Sequence, residues 1–169
     1  MSGSFRWVPS RRPPPERLLA ALTGQLSELN AAAGGAGPGA TDGARVRGDG
    51  NLQVACVRAV LAAHDGGARL YPDAVRVAVR YLLDLLAAAA PGRAVEVRVP
   101  PYGAVQCIAG PVHSRGTPPN VIETDPVTWL RLATGRQSWP DAVERGEVRV
   151  SGPRADVSAF LPVRFPNWE

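Results

Sequence analysis

The sequence predicts an α+β domain in which helices cover one face of a single, mainly antiparallel sheet, with a helical extension at the amino terminus. Three observations carry this. Apolar residues between positions 51 and 90 recur at helical spacing; the period falls to two at Val95; and past Asp125 two capped helix starts are followed by another short strand. With 169 residues the chain has room for one ordinary domain and appendages. Of its Leu, Ile, Val and Phe residues, 8 lie in the first 50 positions and 32 in the remaining 119, which puts the folded part downstream of residue 50.

Residues 1–50 form the extension. Ser4 to Pro15 includes Arg11-Arg12-Pro13-Pro14-Pro15, holds no apolar core of a signal peptide and starts no helix before its last proline. Leu18, Leu19, Leu22, Leu26 and Leu29 then mark one stripe of an amphipathic helix over 16–30. Gly24 weakens that helix by about 1 kcal/mol relative to Ala. Such a stripe must be buried, against the domain or a second copy. Residues 34–50, rich in glycine and nearly free of apolar side chains, read as a flexible linker. The domain proper is expected over 51–169.

Asn51 caps the next helix, whose face of Val54, Val57 and Leu61 ends before Gly66-Gly67. Pro72 opens a third helix, since a proline loses nothing in the first turn; Val75, Val79, Leu82, Leu83 and Leu86 form its stripe, and Pro91-Gly92 stops it. Val95-Glu96-Val97-Arg98-Val99 alternates as a half-buried strand. After Pro100 to Gly103, Ala104 to Ala109 reads as its antiparallel partner. Pro111 to Pro119 is a loop, and Val121 to Thr124 a short strand.

Asp125 caps a helix with Pro126 in its first position and Gly135 past its end. Ser138-Trp139-Pro140-Asp141 has the pattern of a capping box, and that short helix stops at Gly146. Val148-Arg149-Val150 is a further strand. Ala155 to Leu161 is expected as the final helix, terminated by Pro162.

The segment Asp125-Pro126-Val127-Thr128-Trp129-Leu130-Arg131-Leu132-Ala133-Thr134-Gly135-Arg136, followed by Ala142, Gly146 to Gly152 and Leu161-Pro162, resembles the sterol carrier protein type-2 superfamily. The likeness is to its small actinobacterial branch of sterol carrier family proteins and spans residues of about 70–163. Two departures stand out: a proline-rich loop replaces a strand of the family, and residues 1–50 have no counterpart. The resemblance implies a sheet roofed by helices around a tunnel for a lipid-like, fatty-acyl type of molecule. Its walls would include Val97, Val99, Val105 and Cys107 from the sheet, with Trp129, Leu130, Phe160 and Leu161 from the helices. Arg115 at the mouth would pair with a carboxylate or phosphate headgroup. Burying ten methylenes contributes about 8 kcal/mol before an association cost of ~4–15 kcal/mol, which leaves room for micromolar binding only to a long chain, and tight selectivity is not expected. The same valine face would serve equally as a solid core. Phe160 and Leu161 read either as a lid or as the last core helix.

Catalysis is not expected. His64 sits beside Asp65 at a helix end, where positive charge complements the dipole. Cys107 and His113 form the single imaginable nucleophilic pair, and a thiol on an apolar strand face is inert. Asp125 serves as a cap, which removes it from any carboxylate pair with Glu123. No phosphate-cradling glycine loop, metal-spaced cluster or cofactor motif is present. Some proteins with this domain are mycothiol-dependent maleylpyruvate isomerases, in which a separate helical bundle binds metal through histidines. Residues 1–69 hold only His64, so the likeness implies the carrier domain without that enzyme.

All 19 basic residues are Arg, which together with abundant Ala suggests the coding bias of a GC-rich bacterium. The net charge of +4 is spread evenly over the two parts rather than gathered into a stripe, so no nucleic-acid partner is expected. No apolar run approaches the ~20 residues of a membrane span, the best being Leu85 to Ala90, so integral membrane association is not expected. Two distant cysteines suggest reduced thiols and a cytoplasmic setting. The alternative to lipid binding is an interaction protein with a solid core that docks a partner, or forms a homodimer, through the amino-terminal helix.

Overall fold

The computed structural model describes residues 13–34, 51–110, 120–165 and 168. The amino-terminal stretch 1–12, the bulk of the linker and the loop Pro111 to Pro119, with His113 and Arg115, lie outside the described residues. The chain divides into two compact units, one of residues Leu82–Phe165 and one extending up to Tyr81 that also takes in Trp168.

In the second of these units, α1 (Pro15–Ala32) packs on α2 (Leu52–Asp65), and α3 (Pro72–Ala89) begins. Leu18, Ala21 and Leu22 are buried, so the leucine stripe meets its own chain rather than requiring a second copy. The Asn51 side chain caps α2 as expected, accepting from the Gln53 N–H at 3.0 Å. One polar residue lies inside this packing. Gln25 is fully buried; its amide donates to the Arg69 carbonyl at 2.9 Å and its Oε1 accepts from the Tyr71 N–H at 2.8 Å. A helical side chain thereby satisfies two backbone groups of the α2–α3 connection, which burial would otherwise leave unpaired.

The other unit is built on a four-stranded sheet in the order β2-β1-β3-β4, with β1 Val95–Val99, β2 Gly103–Cys107, β3 Val121–Thr124 and β4 Val148–Ser151. The expected α+β class holds, and the sheet is mixed. β1 pairs antiparallel with β2, β3 pairs antiparallel with β4, and β1 runs parallel to β3. The parallel ladder follows from the long return between β2 and β3, since a parallel neighbour needs a crossover rather than a tight hairpin.

α4 (Pro126–Ala133) and α5 (Trp139–Glu144) start where their caps predict. The Asp125 Oδ1 accepts from the Val127 and Thr128 N–H groups at 2.9 and 3.1 Å, and the Ser138 hydroxyl accepts from the Asp141 N–H at 3.3 Å. Each such cap is worth about 1 kcal/mol. Gly135 and Gly146 end the two helices at φ of 76° and 69°, a left-handed turn that glycine enters without strain.

Two elements differ from expectation. β2 ends at Cys107 rather than Ala109, because Ile108 leaves the ladder and donates its N–H to the Ala90 carbonyl at 2.7 Å. The final helix expected over Ala155 to Leu161 is reduced to a single 3-10 turn, Ser158–Phe160. The Asp156 carboxylate takes the Ser158 N–H at 2.8 Å, which supplies a local alternative to helical bonding. Leu161 precedes Pro162 and is extended, the conformation that position favours.

Candidate ligand-binding face

The register places three rows of side chains on the inner face of the sheet. Cys107 lies beside Val95; Val105, Val97, Ile122 and Val150 form the middle row; and Gly103, Val99, Thr124 and Val148 form the last. The face carries no charge. Its one hydroxyl, on Thr124, donates to the Glu147 carbonyl at 2.8 Å. The opposite face is ionic: Arg98 bonds Glu96 at 2.6 Å, and Arg149 stands 3.7 Å from Glu123. Glu96, followed by Glu123, holds the Arg98 guanidinium above its ordinary pKa.

Burial runs across the inner face in a pattern. Val95, Val97, Val99, Cys107 and Ile122 are buried, whereas Val105 on one edge is half-buried and Val150 on the other is 44% exposed. On α4, Trp129, Leu130, Leu132 and Ala133 are buried as well. A side chain with no accessible surface touches no void that admits a water molecule, whether that void is open or closed. Val97, Val99, Cys107 and Leu130, all at 0%, are therefore packed against protein atoms. Phe160 and Leu161 are half-buried. They belong to a closing segment tied to the end of α4: the Val163 N–H donates to the Ala133 carbonyl at 3.0 Å, and Pro162 fills the space beside Gly135.

The sheet brings Val97, Val99, Val105 and Cys107 together, with Val97 directly opposite Val105. Arg115 lies outside the described residues, as does His113, the suggested partner of Cys107. Burial pushes the Cys107 thiol up to about 12, the reverse of what a nucleophile needs. His64 lies in the last turn of α2.

Sequence reasoning missed two features. Asn120 is buried, and its side chain bridges three segments. It donates to the Ala94 carbonyl at 2.8 Å and accepts from the Arg154 N–H at 2.9 Å, while its own carbonyl takes the Glu96 N–H. Its position immediately before a strand was the only available signal. The second is an open groove of about 360 Å³ lined by Pro100, Glu123, Thr124, Asp125, Gly146, Glu147 and Arg149. Its carboxylates already serve the fold: Asp125 caps α4, Glu147 takes the Gln137 amide and Glu123 faces Arg149. Among the described residues no three His, Cys, Asp or Glu side chains could hold a metal ion. No helix among them is long and apolar enough to cross a membrane.

Comparison with protein families matches residues 72–163, more than half of the chain, to a family described as bacterial SCP ortholog, where SCP denotes sterol carrier protein. No curated protein matches the chain.

Proposed function

Because the chain belongs to the family of bacterial sterol carrier protein orthologues, we propose that it binds an elongated hydrophobic molecule, of fatty-acyl type, without catalysing a reaction on it. The guest lies between the inner sheet face and the helical layer. Val97, Val99, Val105 and Cys107 contact it from the sheet, Trp129 and Leu130 from α4, and Phe160 and Leu161 from the closing segment. Arg115 is the cation for a carboxylate or phosphate headgroup.

The observation that carries this reading is the uncharged inner face, whose single hydroxyl is already bonded internally. Such a surface recognises length and apolarity rather than a pattern of polar groups. Since its central residues are packed, a guest must part the sheet from the helices, and only a chain of many methylenes, at ~0.8 kcal/mol each, offsets that cost. A cytoplasmic setting accords with the two free, buried cysteines. Native mass spectrometry of the purified full chain tests the proposal. A co-purified lipid, or micromolar uptake of the fluorescent fatty acid cis-parinaric acid, is the expected result. A protein that arrives bare and leaves the probe unbound overturns it.

The close packing of the same face favours one other reading, a solid structural unit that docks or self-associates through α1. Leu19, 55% exposed, is the leucine of the stripe that remains outside the packing. Sedimentation velocity of the full chain and of Leu19→Glu separates the two: a dimer that Leu19→Glu dissociates supports the second reading, and a monomer in both rejects self-association.

A further inference from the structure

The interior that the guest must reach is bounded on one side by β2. This is an edge strand, whose one ladder among the described residues is with β1, and its inner-face Val105 is half-buried where the opposing Val97 is buried completely. The other edge strand, β4, is braced in addition by contacts with α5. At the end of β2, Ile108 adopts a φ of 62°. A β-branched residue rarely occupies this left-handed region, because its side chain crowds the backbone there. Two hydrogen bonds keep it in place. Its N–H donates to the Ala90 carbonyl at 2.7 Å, and its carbonyl accepts from the Ala94 N–H at 3.0 Å. The chain between those two partners passes so near that a Cβ on Gly92 would stand 2.0 Å from the Ile108 oxygen. The end of β2 is thus clipped to the α3–β1 connection by a residue under strain.

We propose that β2 is the movable wall of the hydrophobic interior and that Ile108 is its latch: release of Ile108 from Ala90 and Ala94 lets the strand swing aside and admits the guest past Cys107 and Val105. This rests on the hydrophobic-ligand reading above. Moving an edge strand breaks one ladder where moving β1 or β3 would break two. Release also returns Ile108 to ordinary backbone space, so the strain held in the closed state lowers the cost of opening. Local openings of this kind involve segments with few supporting contacts and leave the rest of the fold intact.

The two cysteines supply the test. Cys107 adjoins Ile108 and faces the interior, whereas Cys56 is buried within α2; burial pushes both thiols up to about 12, so neither reacts while its surroundings stay closed. The full chain is labelled with Ellman's reagent as the Cys56→Ala and Cys107→Ala variants. Cys107 is expected to react at least tenfold faster than Cys56. Ile108→Gly, which accepts the left-handed conformation without strain, is expected to slow Cys107 about fivefold relative to Cys56. Ile108→Asn, which tolerates that conformation while keeping a side chain, must slow it in the same sense. The ratio of the two rates is the readout, because a general loss of stability accelerates both. Equal rates for the two thiols, or a ratio that neither variant lowers, overturns the latch. Uptake of cis-parinaric acid must slow in step with Cys107 labelling. Failure of the probe to bind, with latch-dependent labelling intact, refutes the hydrophobic-ligand reading; binding at an unchanged rate refutes the portal.

Discussion

Gly24 lies beneath the ring of Tyr71, so close that a Cβ on Gly24 would stand 2.5 Å from the Tyr71 Cε1. Helix propensity alone makes Gly24→Ala stabilising by about 1 kcal/mol. The contact reverses the sign, since a methyl group cannot enter that space until the ring moves, and overpacking of this kind costs about 1–3 kcal/mol. Gly24→Ala is therefore expected to lower stability by about 1 kcal/mol in urea denaturation. In a Tyr71→Ala background, with the ring gone, the same substitution is expected to raise stability. Additive effects in this double-mutant cycle would show that the contact does not constrain the chain.

Gln25 is the second constraint on the same connection. Gln25→Leu keeps the volume of the side chain but leaves the Arg69 carbonyl and the Tyr71 N–H without the partners seen in the structure. Each unsatisfied buried group costs about 1–3 kcal/mol, so a loss of about 2–4 kcal/mol is expected. Leu26→Ala, at a half-buried position one residue away, is expected to cost less than Gln25→Leu. A leucine that proves neutral at position 25 would mean that water replaces both bonds.

Asn120 plays a comparable part beside the sheet, where its side chain joins the start of β1 to the segment after β4. Asn120→Asp retains an acceptor for the Arg154 N–H and sets a carboxylate oxygen against the Ala94 carbonyl. Asn120→Ala removes both bonds. Both variants are expected to lower stability by about 2–4 kcal/mol. Hydrogen exchange at the Glu96 amide, which bonds the Asn120 backbone, is expected to quicken in each. Unchanged exchange there would show that the side chain is dispensable for aligning β1 with β3.

These staples mark the limit of what was legible in the sequence. The caps at Asn51, Asp125 and Ser138, the opening at Pro72 and the alternation of Val95 to Val99 are local signals, and each element starts where they indicate. Partners across the chain are another matter. Nothing near Val121 says that β3 will lie parallel to β1, because the alternation that identifies a strand is the same for either direction. The last helix failed for a local reason, the Asp156 side chain competing with the backbone ahead of a proline. The inner face was legible within each strand, since pleating puts Val97 with Val99 and Val105 with Cys107, and the antiparallel register then joins the two pairs on one side. Its close packing was not, because periodicity reports direction and carries no information about how volumes interlock.

The two thiols give the fold a defined alkaline limit. Burial raises Cys56 and Cys107 from 9.0 to about 12, because a thiolate inside the protein loses its hydration. Well below pH 9 both thiols are protonated in the folded and the unfolded chain, and neither affects the pH dependence. Between about 9 and 12 the unfolded chain releases these protons while the folded chain retains them. The unfolded state then binds fewer protons, so stability falls as pH rises, by about 1.4 kcal/mol per unit for each thiol well above pH 9. Urea midpoints measured from pH 8 to 10.5 are expected to decline progressively above pH 9. Cys56→Ala and Cys107→Ala should each remove about half of the cysteine contribution to that decline, whatever constant penalty the lost sulfur brings. A decline equally steep in the double variant would show that other groups, the tyrosines among them, set the alkaline limit.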